Sequence, residues 1–194
     1  MNTKDIFSKN LNDSITIKQT ILENKEILNT ITTISDILVD AFKSNQQLMF
    51  CGNGGSAADS QHLAAEFSGR YYLNRPPLKA IALHTDTSFL TAVSNDFSFD
   101  EVYSRLVDAL GSKGDVLVGL STSGNSVNVI KALTQAKKRG IITIGFTGKS
   151  QCQIDTLCDH LIKVPSSDTP RVQEAHLLIG HTICEIVEKR LFSN

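Results

Sequence analysis

Short apolar runs, each closed by a polar or glycine-rich turn and most of them followed by a helical stretch, recur along this chain from residue 48 onward. Leu48 to Cys51 leads into Gly52, Gly54 and Gly55 and then a helical segment from Ala57 to Phe67. Ala80 to Leu83 comes next, then Val116 to Leu120 with a helix running to Arg139, Ile141 to Phe146, and Leu161 to Val164 before the helix Val172 to Phe192. Strands that are apolar throughout, not alternating, are buried on both faces, and helical crossovers between them make the sheet parallel. The predicted fold class is therefore α/β, a doubly wound parallel sheet with helices on both faces. Arg75-Pro76-Pro77 marks the loop that enters the second strand.

Ahead of the first strand, Ile6, Leu11, Ile15, Ile17, Ile21, Leu22, Ile27, Leu28, Ile31, Ile34, Ile37, Leu38 and Phe42 recur mainly three and four positions apart. This spacing predicts two amphipathic helices that break near Asn24. Two destinations suit so much apolar surface: a cover over the chain's own sheet, or packing against another copy of the chain. No linker, charge block or repeat interrupts the 194 residues, so one domain is expected over 1–194, with helices in 1–45 and the α/β core in 46–194.

Charge narrows the partners. Nineteen Lys and Arg against twenty Asp and Glu leave a formal charge of -1, without the global positive field that holds a phosphate backbone, so nucleic acid is not expected. The opening MNTKDIFSKN has no apolar segment behind a basic end, and no run of about 18 apolar residues occurs, so neither a signal peptide nor a membrane span is expected and a cytoplasmic location is. Cys51, Cys152, Cys158 and Cys184 form no CxxC pair and are expected to be free thiols.

Two turns carry the chemistry. Cys51-Gly-Asn-Gly-Gly-Ser56 closes the first strand and opens a helix, where close backbone approach and unpaired N–H groups favour an anion. Gly52, Gly54 and Ala57 match the dinucleotide fingerprint only formally, and no Gly-Lys-Ser/Thr follows to make a P-loop. Ser121-Thr122-Ser123-Gly124-Asn125-Ser126 closes the third strand with four hydroxyls and a second helix start. Hydroxyls without a nearby Lys or Arg suit a compact phosphomonoester, whereas capping accounts for one or two of them.

The segment Cys51 to Tyr71, CGNGGSAADSQHLAAEFSGRY, with Ser94-Asn95-Asp96, Ser121 to Ser126 and Arg171-Val-Gln-Glu-Ala-His176 through His181, closely resembles the phosphoheptose isomerases of the sugar isomerase (SIS) family. The resemblance covers nearly the whole chain. It implies a five-stranded flavodoxin-like core with an N-terminal helical arm, a homotetramer with active sites between subunits, and isomerisation of D-sedoheptulose 7-phosphate to D-glycero-D-manno-heptose 7-phosphate. That product belongs to heptose biosynthesis, with lipopolysaccharide among its destinations.

The resemblance also assigns residues. On spacing alone His62 and Glu66 are an i,i+4 pair on one helix face, which reads first as an exposed surface pair. Motif match makes Glu66 and His181 the acid/base pair that passes a proton between C1 and C2 through a cis-enediol, and implies zinc held by His62, Glu66, Gln173 and His181. Gln173 and His181 are eight residues apart, about 12 Å of helix rise, so one ion reaches both only if their side chains lean together or come from different subunits. Asn53, Gly54, Gly55 and Ser56 meet the substrate at the first turn. Asn95 and Asp96 take sugar hydroxyls, Ser121, Thr122, Ser123 and Ser126 hold the phosphate, Gln173 is a further substrate contact, and Arg70 is a candidate for the substrate or an intersubunit contact, with a plain surface salt bridge as its alternative. Ser94 and Pro170 depart from the family pattern, and Pro170 suits the first turn of a helix.

Three alternatives compete. A non-catalytic SIS sugar-phosphate-binding protein that regulates a partner such as a replication initiator lacks the acid/base pair kept here as Glu66 and His181. An arabinose 5-phosphate isomerase resembles this chemistry on a longer chain with extra domains. A dinucleotide oxidoreductase needs an acid about 20 residues beyond the glycine turn, where Asp86 stands some 30 away.

Overall fold

Apolar runs bounded by turns give five strands, β1 (Leu48–Gly52), β2 (Ala80–Ala82), β3 (Val116–Leu120), β4 (Ile142–Thr147) and β5 (His160–Lys163), all parallel, in the order β2-β1-β3-β4-β5. The structure is a computed structural model and describes residues 2–193. Every residue of β1 and β3 is buried, as a strand covered on both sides requires. The register sets Phe50 beside Val118 and Gly52 beside Leu120, so β1 and β3 end level with one another.

Alternate residues of each strand serve separate layers. Leu48, Phe50, Val116, Val118, Leu120, Ile144 and Phe146 face one layer, built from α2 (Lys25–Lys43), α3 (Gly55–Ser68) and α7 (Thr169–Phe192). Met49, Cys51 and Leu117 face the other, built from α4 (Thr87–Asp96), α5 (Val102–Leu110) and α6 (Val127–Lys138). Periodicity gave no element between β2 and β3, yet α4 and α5 lie there. Helices of ten and nine residues are shorter than the window over which a 3.6-residue period can be read. Pro170 sits in the first turn of α7 and the helix forms around it.

The two N-terminal helices meet at Asn24, whose side chain caps α2 by accepting from the N–H groups of Glu26 and Ile27. They differ in what they bury. α2 packs Ile27, Ile31, Ile34 and Leu38 into the core, whereas α1 (Thr3–Glu23) leaves Ile6, Phe7, Leu11, Ile15 and Leu22 exposed. Ser14 Oγ donates to Glu174 Oε2 at 2.8 Å and Arg171 Nη1 donates to the Asn10 carbonyl at 2.7 Å, tying α1 to α7. The four cysteines are free thiols, and no helix is long and apolar enough to cross a membrane among the described residues.

Topology fixes where a ligand sits. From β1 the chain moves outward to β2 and then returns past β1 to β3, so the connections after β1 and β3 leave toward opposite faces, α3 to one layer and α6 to the other. In an open parallel sheet the crevice at the carboxyl ends of such diverging strands is the ligand site, here between the glycine turn and the hydroxyl turn.

Candidate active site

The glycine turn is built for close approach. Gly54 has φ +55°, a left-handed conformation that costs glycine least, and it stands at the N-cap of α3 without a side-chain cap. Ser56 N–H donates to the Asn53 carbonyl at 3.0 Å, and Ser56 is itself buried. The Asn53 side chain is committed elsewhere: its Nδ2 donates to Asn128 Oδ1 at 2.8 Å and its Oδ1 accepts from Asn128 Nδ2 at 2.9 Å. What this turn offers a ligand is therefore backbone, from residues 53 to 55, at the positive end of α3.

Capping does not explain the hydroxyl turn. Ser126 is at the N-cap of α6, yet its side chain makes no cap bond and instead lies 2.9 Å from Ser121 Oγ. Ser123 Oγ stands 3.5 Å from Ser121 Oγ, and Ser121 Oγ accepts from the Gly124 N–H at 3.1 Å. Thr122 is half-buried beside them. Short donors gathered at a helix start are a setting for a phosphate group.

Two turns along α3, a group of titratable side chains converges. His62 Nε2 and His181 Nε2 are 2.7 Å apart, and His62 Nε2 lies 3.5 Å from Glu66 Oε1. One donor atom from each of His62, Glu66 and His181 lies within 4.8 Å of the others. Two ring nitrogens aimed at one spot beside a carboxylate oxygen are the donor set that a borderline divalent ion such as zinc takes, so these residues fit the metal that the resemblance implies. Burial holds His181 below the usual imidazole range, the neighbouring His62 pushes it the same way, and Glu66 opposes both. An unprotonated imidazole nitrogen is the form that accepts a proton or a metal.

Gln173 enters the site from the same helix as His181. Its amide lies over the glycine turn, where a Cβ added to Gly55 would stand 2.5 Å from Gln173 Nε2. Gln173 lies eight residues before His181 on α7, and the His and Glu donors grouped on this chain are His62, Glu66 and His181. Asn95 and Asp96 end α4, exposed, and bond to each other at 2.8 Å without a hydrogen bond to either turn. Arg70 is exposed just past α3 and has no ion-pair partner among the described residues.

Close contact between α3 and α7 is what lets His62 meet His181, and Gly180 permits it. A Cβ on Gly180 would stand 2.6 Å from Cδ1 and 2.7 Å from Cδ2 of the buried Leu63, which neighbours His62 on α3. Gly180→Ala is expected to cost about 1–3 kcal/mol by overpacking and to part the two histidines. Urea unfolding checks the first effect, and loss of divalent-ion affinity checks the second.

A model of the SIS domain matches residues 12–148. "Phosphoheptose isomerase 2" of Campylobacter jejuni is 51% identical over 180 residues, covering 93% of this chain and 90% of that protein. "Phosphoheptose isomerase" of Aneurinibacillus thermoaerophilus is 45% identical over 190 residues, covering 98% and 96%. The chain belongs to the phosphoheptose isomerases of the SIS domain family. A solved phosphoheptose isomerase from Francisella tularensis superposes with a TM-score of 0.93 at 30% identity over 97% of this chain and 100% of that one. The corresponding structure from Neisseria gonorrhoeae gives 0.90 at 39%, again over 97% and 100%. The chain is thus an isomerase, and its five-stranded parallel architecture is the family's.

Several residues around this isomerase site carry no signal in the sequence. The Tyr71 ring lies 5.6 Å from the His181 ring, and burial first, then Tyr72, pushes its phenol up to about 12, so it stays protonated. Asp59, one turn before His62, has Oδ2 buried without a partner, and burial raises its pKa. Arg75 and Glu188 form an ion pair at 2.9 Å with both side chains 2% exposed. Asn128, Arg75 and Glu188 all act on partners distant in the chain, which local pattern cannot show.

Proposed function

We propose that this protein interconverts D-sedoheptulose 7-phosphate and D-glycero-D-manno-heptose 7-phosphate. The observation that carries this reading is the convergence of His62, Glu66 and His181 on α3 and α7, two helical turns from a pair of anion-binding turns at the sheet's switch point. The phosphate rests on Ser121, Thr122, Ser123 and Ser126 and on the backbone of residues 53 to 55. A seven-carbon chain anchored there runs back along α3 toward His62 and Glu66.

Aldose-ketose exchange removes a proton from the carbon beside the carbonyl and returns it to the neighbouring carbon through an enediol. Glu66 and His181 flank that position and serve as the acid/base pair. The Glu66 carboxylate faces His62 through Oε1, 3.5 Å from His62 Nε2. His62, Glu66 and His181 would hold zinc, which when bound supplies a Lewis acid that polarises the carbonyl oxygen. Gln173 of the same chain faces the glycine turn and contacts the sugar phosphate. Asn95, Asp96 and Arg70 contact sugar hydroxyls or the phosphate from the rim. The exposed apolar face of α1, with Phe7 67% and Leu22 64% exposed, supports assembly as a homotetramer whose sites are completed by a neighbouring subunit. The reaction belongs in the cytoplasm.

A non-catalytic SIS binding protein has no use for a neutral histidine, a carboxylate and a second histidine within bonding range, and the retained group speaks against that alternative. Proton NMR of the purified protein with D-sedoheptulose 7-phosphate, after chelation and again after zinc is restored, tests the reading. An aldose signal that grows with metal alone is expected. Equal signals in both samples would remove the metal from the mechanism, and no turnover with the sugar phosphate still bound would leave a binding protein.

A further inference from the structure

We propose that Asn128 is a positioning residue that sets the distance between the two anion-binding turns, through its paired amide bonds to Asn53. The inference rests on the reading of those turns as the phosphate site. Strand pairing between β1 and β3 stops at Gly52 beside Leu120, and beyond that point the chain diverges to opposite faces of the sheet. Past the ladder, the direct hydrogen bonds between the two turns among the described residues are the reciprocal pair, Asn53 Nδ2 to Asn128 Oδ1 at 2.8 Å and Asn128 Nδ2 to Asn53 Oδ1 at 2.9 Å.

The pair is set in rigid surroundings. Asn128 is 2% exposed in the first turn of α6, and its Oδ1 also accepts from the Val129 N–H at 2.9 Å, which fixes the amide to the helix that the hydroxyl turn opens. Asn53 directly precedes Gly54, the residue that turns the chain into α3. An amide pair has both a donor and an acceptor on each side, so it fixes separation and orientation together, which one bond would not do. A ligand that spans both turns gains from donors already held at the right spacing, because less ordering remains to be done on binding. This assignment also accounts for the engagement of the Asn53 side chain by Asn128.

Asn128→Ala, Asn53→Ala and the double variant provide the test, with three readouts: the Kd of inorganic phosphate measured by calorimetry, the split between KM and kcat, and the melting temperature. Each single variant is expected to raise the phosphate Kd and the KM for the phosphorylated sugar together, by about tenfold for the loss of two hydrogen bonds. The double variant is expected to be no worse than the weaker single, since both remove one shared link. Asn53→Ala acts from the half-buried side of the pair, so it reports on the link if the Asn128 variant is too unstable to purify. Wild-type binding of phosphate with unchanged Kd in both variants would overturn the positioning role, even if the melting temperature falls. Additive losses in the double variant would overturn the pairing. If wild-type protein takes no phosphate, the reading of the turns fails and the inference with it.

Discussion

Glu66→Gln is expected to fold and assemble as the wild type does and to lose more than about 10² in kcat, the low end of what a positioned acid or base contributes. His181→Ala is expected to lose at least as much. The carboxylate and the imidazole enter the same small volume from α3 and α7, with His62 between them at 3.5 Å from Glu66 and 2.7 Å from His181. Gln keeps the shape of Glu66 and removes its capacity to take a proton. Metal content measured on each variant separates the two consequences of the change. A zinc-loaded Glu66→Gln protein that still turns over slowly has lost its base, and a metal-free one has lost a ligand. Turnover near the wild-type rate in either variant would sink the acid/base assignment, and circular dichroism with sizing chromatography guards against a folding artefact.

The second large effect lies away from the reacting atoms. Glu188→Ala is expected to cost about 3–5 kcal/mol, because it strands the Arg75 guanidinium in a buried setting. Glu188 accepts from the backbone N–H groups of Tyr71, Tyr72 and Leu73 at 3.0, 2.7 and 2.9 Å and pairs with Arg75 at 2.9 Å. Arg75 in turn donates to the carbonyls of Glu66, Phe67 and Gly69, the open C-terminal end of α3. Together they fasten the end of the helix that carries His62 and Glu66 to the helix that carries His181.

The same pair predicts an acid dependence. Burial alone would raise the Glu188 carboxyl, but the three backbone donors and Arg75 outweigh it, and the pKa falls below its ordinary value of 4.5. A lowered folded-state pKa means stability that is fully present above that ordinary value and lost as pH falls toward and through the folded one. Urea midpoints of wild type and Glu188→Ala are therefore expected to differ most near neutral pH and to draw together as pH falls below the ordinary glutamate value and through the lowered folded one. A gap that stays constant over that range would show that the carboxylate's charge contributes nothing.

Much of this was legible before any coordinates. Continuous apolar runs such as Val116 to Leu120 state burial on both faces, and that condition implies parallel strands; Asn24 states a helix break because its side chain caps the next helix at short range. The hydroxyl density of Ser121 to Ser126 exceeds what capping explains, and the structure finds Ser126 turned away from its cap. The glycine turn and the spacing of His62 and Glu66 are equally local. Gly180, read as room for close helix packing, lies against Leu63.

Tertiary structure decided what depends on residues far apart in the chain. The sequence by itself determined the fold class, the turns and the membership of the family, because periodicity, turn chemistry and motif order act over a few residues. It gave no sign that Asn53 pairs with Asn128, 75 residues away, or that Glu188 reaches Tyr71, 117 residues away. That the Gln173 amide lies over Gly55 and His181 beside His62 is likewise a matter of how α7 crosses α3. Such contacts follow from which helix crosses which strand, and a buried polar side chain finds its partner only once that packing exists.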